Sequence, residues 1–364
     1  MATEVRERLG SEVFRLPVER IRDGYYSDAY FNHAKALLEQ EGRRPQVVMQ
    51  VFQKRRSVLG GVDEAIAVLR ECSGHRGGDG AWVSGWDELE VHAMYEGDEI
   101  SPYETVMTIE GDYTLFAHLE TVYLGCMARR SLVMRNVTEV VSAAGGKPIW
   151  YFPARHDHWL VQTGDGWAAH IAGAIGVSTD AQASWWGGRG MGTVPHALIA
   201  AFGGDTVAAA KCFADRFGHE MNVTVLVDFE NDSVRTALEV AEALGSKLWG
   251  VRLDTSDKLV DRALLDEMGE FSPTGVAPEL VRKVRAALDD GGFGEVNIVA
   301  SGGFTVDRIR EFEAAGVPVD AYGVGSALIR GENDFTADVV RADDRPAAKV
   351  GRQELPNPRL ERVW

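Results

Sequence analysis

Cysteine is scarce in this 364-residue sequence. The three that occur, Cys72, Cys126 and Cys212, are odd in number, far apart and form no C-x-x-C pair. That excludes a disulfide framework or zinc knuckle and predicts a reduced, cytoplasmic chain. Long apolar runs are missing as well. No stretch approaches the roughly 18 uninterrupted apolar residues of a membrane span. Met1-Ala2-Thr3-Glu4 opens a charged segment with no apolar signal region, so no secretory leader is expected. Positive charge is in deficit: 38 Lys plus Arg stand against 55 Asp plus Glu, a net charge of −17. Such a field repels nucleic acid and anionic membrane, so neither is expected as a partner. A polyanionic small substrate then needs a pocket with its own cations, backbone N–H groups or Mg2+.

Glycine is abundant, at 40 residues, where average usage of about 7% gives roughly 25. The length predicts about two domains, and the composition suits a large α/β enzyme rich in tight turns. Residues 1–146 read as a mixed α+β domain. Gln46–Lys54 is strand-like, Val62–Cys72 has helical apolar spacing, and Glu88–Ile109 alternates around a turn at Glu96-Gly97-Asp98. Tyr113 to about Ala144 reads as one or two helices ended by Gly145-Gly146.

From Lys147 the pattern changes. Apolar runs at Pro148–Phe152, Ala174–Ser178, Met191–Leu198, Val223–Phe229, Leu248–Asp254, Val296–Ser301 and Ala321–Ser326 alternate with amphipathic segments such as Ser233–Leu244, Pro278–Leu288 and Val306–Ala315. Alternation of this kind predicts parallel β/α units. The expected fold is α/β: an irregular β/α barrel over 147–334, with an N-terminal α+β domain completed by the tail, 335–364, folding back onto it. Each apolar run ends in polar or glycine residues: Arg155-His156, Ser178-Thr179-Asp180, His196, Asp228, Arg252 with Asp254, Ser301-Gly302-Gly303 and Gly323-Val324-Gly325. In a barrel those ends converge on one mouth.

The motifs carry different weights. Ser301-Gly302-Gly303 and Gly323-Val324-Gly325-Ser326 each follow a strand and precede a helix, the setting of a phosphate cradle, although ordinary turns share that chemistry. Arg252-Leu253-Asp254 places cation and anion on one side of a strand. They form either a satisfied pair or a site in which Asp254 takes ribose hydroxyls or Mg2+ and Arg252 a phosphate or carboxylate. Phe152-x-x-Arg155 offers a ring and a guanidinium to a flat anionic ring. His156 and His158 have metal-like H-x-H spacing but lack a third ligand at known spacing. His196 at a barrel mouth suits acid–base or nucleophilic work. Trp185-Trp186 before a glycine-rich stretch suits packing, a lid or a dimer contact.

Taken in order, these residues resemble the nicotinate phosphoribosyltransferase family, in its shorter archaeal-type branch, from about residue 20 to 352. Asp28-Ala29-Tyr30-Phe31, Glu96-Gly97-Asp98, Ile109-Glu110-Gly111-x-Tyr113 and Glu120-Thr121 begin the match. Phe152-Pro153-Ala154-Arg155-His156, Gly176-Val177-Ser178-Thr179, Gly192 to Leu198 (GTVPHAL), Arg252-Leu253-Asp254-Thr255 and the two glycine turns complete it. Pro153 stands where the family has glycine, and Thr179-Asp180 where relatives often have Asn and an apolar residue.

The resemblance implies nicotinate and 5-phosphoribosyl 1-diphosphate as substrates, ATP and Mg2+ as cofactors, and a homodimer with shared active sites. It implies that Phe152, with Tyr30 from the second subunit, sandwiches the pyridine, and that Arg155 meets its carboxylate or nearby phosphoribosyl oxygens. Ser178 and Thr179 fall at the ring-recognition position, where a serine rather than a carboxylate favours the acid over nicotinamide. Arg252 and Asp254 bind the phosphoribosyl diphosphate. Ser301, Gly302, Gly303, Gly323 and Gly325 hold the 5′-phosphate, and Lys349 and Arg352 reach the diphosphate. His196 matches the histidine that ATP phosphorylates. Quinolinate or nicotinamide phosphoribosyl transfer, and a non-catalytic phospho-ligand-binding barrel, remain the rival expectations.

Overall fold

The structure is a computed structural model that describes residues 6–269 and 271–363. The opening Met1-Ala2-Thr3-Glu4 lies outside the described residues. The chain divides into two compact units, Met1–Arg135 with Gly331–Trp364, and Asn136–Arg330. The division falls about two thirds of the way along the long helix Glu120–Ala143, which two short 3-10 turns precede.

The first unit is built on an antiparallel sheet whose order is Arg345–Pro346, Thr336–Ala342, Gln46–Phe52, Thr105–Asp112, Glu90–Ala93, Glu361–Arg362. Gln46–Phe52 sits centrally because its Val- and Phe-rich sequence is buried at every position but the first. It pairs on one side with Thr105–Asp112 (Met49 opposite Ile109) and on the other with Thr336–Ala342 (Met49 opposite Val339). C-terminal residues therefore supply three strands of this sheet. Helix Val62–Cys72 packs Val62, Ala65, Ile66, Val68, Leu69 and Cys72 into the same core. Each fully buried aliphatic side chain there contributes about 1.5–3 kcal/mol. Gly61 opens that helix with φ +76°, and a Cβ there would lie 2.5 Å from the Cys126 carbonyl oxygen. Only glycine permits both the conformation and the approach.

The second unit carries the parallel sheet. Its order is Val223–Leu226, Leu248–Leu253, Asn297–Ala300, Ala321–Val324, Ile149–Tyr151, Gly176–Val177. Continuous burial along Val223–Leu226 and Ala321–Val324 explains why these strands read as unbroken apolar runs. Helices Ser233–Leu244, Pro278–Asp290 and Val306–Ala314 alternate with them. The sheet curls into an irregular β/α barrel, as the alternation predicts. The segment after Gly190 spans the gap between its edges: Met191 N donates to Val177 O at 2.7 Å and Val194 N to Thr224 O at 2.9 Å.

One expected strand is corrected. Met191–Leu198 is not a strand throughout: only Val194 forms a bridge, to Val225, and His196–Ala201 is a helix. Pro195 has no N–H to continue a ladder and caps the helix instead, while the following Ala and Leu residues favour helix. His196 therefore opens a helix rather than ending a strand. Among the described residues, no helix is long and apolar enough to cross a membrane.

Candidate active site

Five of the barrel's strand ends and the start of helix His196–Ala201 carry the candidate chemistry. Strand Leu248–Leu253 delivers Arg252, whose guanidinium lies 5.0 Å from the Phe152 ring centroid. Its Nε donates to Ser301 Oγ at 2.8 Å, Nη2 to Asp254 Oδ2 at 3.2 Å, and Nη1 reaches Thr193 Oγ1 at 3.4 Å. Ser301 Oγ, itself buried, donates to Asp254 Oδ1 at 2.8 Å. The ion-pair reading of Arg252-x-Asp254 is thus observed. The pair is closed and partly buried, and it presents a cation stacked on an aromatic face. Such stacking suits Arg and not Lys, because only the planar guanidinium can lie on a ring and keep its fork of donors.

Phe152 is fixed by its backbone N–H, which donates to Val324 O at 2.8 Å, and by an edge contact with Trp150 at 5.7 Å. Gly323 lies beneath the ring: a Cβ there would come within 2.7 Å of Phe152 Cε2. A Cβ on Gly325 would lie 3.0 Å from His156 Cε1, so His156 covers the second glycine turn. His158 points its chemistry elsewhere, with Nδ1 accepting from Leu160 N at 3.2 Å. Arg155 is exposed and makes no ion pair among the described residues.

The glycine turns have the geometry of an anion cradle. Gly302 and Gly303 take φ +84° and +79° in succession. Among the described residues the N–H groups of Gly302, Gly303 and Gly325 donate to no other group, so three donors are available to an anion. Arg308 braces the first turn from helix Val306–Ala314, donating to the carbonyls of Gly302 (3.1 Å) and Val276 (2.9 Å). Burial pushes the Arg308 pKa down.

His196 Nε2 lies 3.0 Å from Asp228 Oδ1. This hydrogen bond raises the histidine pKa above its usual value, against partial burial and with smaller help from the charge of Asp254, while Arg252 works the other way. Asp228 was visible only as the polar end of a buried strand, and its role as the histidine's partner had no signal of its own. Ser178 and Thr179 have local duties. Gln182 Oε1 accepts from Ser178 N at 3.0 Å and from its Oγ at 3.1 Å. Thr179 caps the short helix Asp180–Ala183 through a capping box with Gln182 and donates to Gln162 Oε1 at 2.9 Å. Asp180 Oδ1 accepts from Gly190 N at 2.9 Å.

Three expected site residues belong to the other unit. Tyr30 is exposed on helix Ala29–Gln40, its hydroxyl 3.3 Å from Asp28 Oδ2. Lys349 is exposed. Arg352 pairs with Asp338 at 3.0 Å and stacks on Phe52 at 5.1 Å.

A curled parallel barrel with glycine turns and a stacked Arg–Asp pair at its strand ends defines a type II phosphoribosyltransferase fold, and comparison with known proteins agrees. A structure of nicotinate-nucleotide pyrophosphorylase from Pyrococcus furiosus matches with a TM-score of 0.78 and 32% identity, over 96% of this chain and 86% of that one. Human nicotinic acid phosphoribosyltransferase shares the fold, with a TM-score of 0.65 and 17% identity over 90% and 77% of the two chains. A family profile described as quinolinate phosphoribosyl transferase, N-terminal domain, matches residues 28–131. Nicotinate phosphoribosyltransferase pncB2 of Mycobacterium tuberculosis (strain H37Rv) is 31% identical over 250 residues, 66% of this chain and 48% of its own length. The chain spans about half the length of the curated relatives it matches. It belongs to the nicotinate phosphoribosyltransferase family.

Proposed function

We propose that this protein joins nicotinate to 5-phosphoribosyl 1-diphosphate, forming nicotinate mononucleotide and diphosphate. The observation that carries this reading is the Arg252–Asp254–Ser301 network stacked on Phe152, because it sets a ring platform, a cation and a hydroxyl-binding carboxylate side by side. The pyridine nitrogen attacks the ribose anomeric carbon as the bond to the diphosphate oxygen breaks. No protein nucleophile is needed for that step. The residues orient the ring on Phe152, hold ribose hydroxyls at Asp254, stabilise the departing charge at Arg252 and seat the 5′-phosphate on the glycine N–H groups. Position 178 carries a serine rather than a carboxylate, and the hydroxyls of Ser178 and Thr179 are drawn into their cap, which supports the acid over the amide. Arg155 supplies a cation for the nicotinate carboxylate.

Mg2+ fits the donors present. Asp228 and Asp254 offer carboxylate oxygens, and an ion that keeps water and phosphate ligands needs only one or two of these. Held by those two carboxylates, such an ion would supply charge neutralisation for the departing diphosphate. ATP coupling fits His196: its Nδ1 makes no hydrogen bond among the described residues, so that nitrogen is open to accept a phosphoryl group. A homodimer completes the reading, with Tyr30, Lys349 and Arg352 of a second copy closing each cleft.

Quinolinate is the second reading, favoured by the profile over 28–131 and by the Pyrococcus furiosus match. One assay separates the readings: diphosphate release with nicotinate, nicotinamide or quinolinate, with and without ATP. Nicotinate is expected to react, faster with ATP. Turnover with quinolinate alone selects the second reading, and release with none of the three overturns both. His196→Ala should abolish the ATP stimulation, and an unchanged response removes the phosphohistidine.

A further inference from the structure

A cavity of about 590 Å3 opens within the first unit, lined only by residues of that unit. Four cations converge on it from four places in the chain: Arg22, Lys35, Arg44 and Arg76. In a protein of net charge −17 this convergence is not a matter of composition. Arg22 and Arg76 lie 5.1 and 5.8 Å from the Trp82 ring centroid. Arg22 spends its Nε and Nη2 on the Glu71 carbonyl, a neutral acceptor, at 3.0 and 2.8 Å. Lys35 Nζ likewise donates to the Gly74 and Thr114 carbonyls.

Acids face the cavity too. Asp23 and Glu39 line it. Asp23 pairs with Arg76 at 2.5 Å, Glu39 with Lys35 at 2.8 Å, Glu19 with Arg22 and Arg76, and Asp112 with Arg44 at 3.0 Å. The Asp23, Glu39 and Glu19 carboxylates are exposed, and such pairs hold weakly, so an incoming anion can displace them.

Orphaned polar atoms supply the independent observation. His118 is 1% exposed and lines the cavity, and among the described residues neither ring nitrogen makes a hydrogen bond of good geometry, the Cys72 backbone being its one weak polar neighbour. Trp82 Nε1 and His75 Nδ1, also in the lining, are buried atoms without a hydrogen-bond partner among the described residues. The Trp82 and His118 rings stand 6.3 Å apart. Buried groups of this kind are normally satisfied, and three in one cavity mark where a ligand belongs. Burial pushes the His118 pKa down to about 3, with the charge of Lys35 adding to the effect, so the ring is neutral and offers one donor and one acceptor.

We propose that this cavity binds a small phosphorylated anion. Guanidinium, ammonium and indole groups are all donors, and a phosphate group presents several acceptor oxygens at once, where a carboxylate presents two. The flanking guanidiniums occupy the Trp82 ring environment, which leaves the phosphate rather than a stacked base as the recognised group. This site is independent of the barrel's strand-end chemistry and stands or falls separately from it.

The test uses the full chain labelled with 5-fluorotryptophan, titrated with inorganic phosphate and followed by fluorine NMR. Trp82→Phe assigns the Trp82 resonance by its disappearance. Phosphate should shift that resonance saturably, and Arg76→Gln should weaken the apparent affinity at least about tenfold. The His118 ring protons should report a pKa that rises when phosphate is bound, because an adjacent anion favours the imidazolium. A Trp82 resonance that stays still, or moves equally with chloride at matched ionic strength, overturns the proposal and leaves a water-filled crevice.

Discussion

The Asp228 carboxylate accepts a hydrogen bond from His196 Nε2–H at 3.0 Å. An ionised carboxylate can only accept, so this contact sets the proton on Nε2 and leaves the Nδ1 lone pair open, as the proposed phosphoryl transfer from ATP requires. The same contact raises the His196 pKa, so the neutral, nucleophilic ring gains population only as pH rises through that elevated value. Asp228→Asn should move the acid limb of ATP stimulation to lower pH, toward the ordinary histidine range of about 6.5. It should also slow the ATP-dependent step by on the order of 10²-fold or more through loss of the tautomer. Profiles of ATP stimulation against pH for the two proteins check this, and an acid limb that does not move removes Asp228 from the role.

Arg252 makes its contacts as a fork, to Ser301, Asp254 and Thr193, while lying on Phe152. Lysine keeps the charge and loses the planar stack and the divergent donors. Arg252→Lys should therefore lower kcat/KM by about 10²-fold, equivalent to about 2.7 kcal/mol of lost transition-state stabilisation. Steady-state diphosphate release measures it. A loss smaller than about threefold, with the fold intact, would mean that charge alone suffices.

The barrel and the order of its strand ends were legible because buried parallel strands are apolar throughout and their polar termini break the run sharply, as at Leu253-Asp254 and Ala300-Ser301. What lay beyond the sequence depended on competition between local and global terms. Met191–Leu198 reads as one apolar run, yet Pro195 cannot join a ladder, and the helix-forming residues after His196 win. Thr179 reads as a ring-recognition residue by resemblance alone, whereas Thr-x-x-Gln is also a capping-box signature, and that local duty is the one the structure shows. Asp228 became a candidate only when the fold set it opposite His196, 32 positions earlier.

Thiol chemistry offers a check on the reduced-cysteine reading. Cys72 is fully buried in the first unit's core, and burial pushes its pKa up to about 12, whereas Cys212 is exposed on helix Thr206–Phe217. Thiolate is the reactive form. A maleimide in native buffer should label Cys212 readily and leave Cys72 untouched until denaturant is added, with peptide mapping by mass spectrometry as the measurement. Early labelling of Cys72 would contradict the packing of helix Val62–Cys72.

Gly323 is the position where stability and activity can be separated. Its backbone φ lies outside the positive region, so alanine is conformationally acceptable there. Space is the obstacle, because a Cβ would stand 2.7 and 2.9 Å from Phe152 Cε2 and Cδ2 and 3.3 Å from Ser301 Cβ. The Phe152 ring must then lift or turn, and the guanidinium of Arg252 must move with it. Overpacking of this kind costs about 1–3 kcal/mol, which a barrel of this size survives with a lowered Tm. Gly323→Ala should therefore remain folded by circular dichroism while its KM for nicotinate rises about tenfold or more, since the ring platform is displaced before any group on the sugar-phosphate side. A variant with wild-type KM and unchanged Tm would show that Phe152 yields freely and that the pyridine does not rest on it.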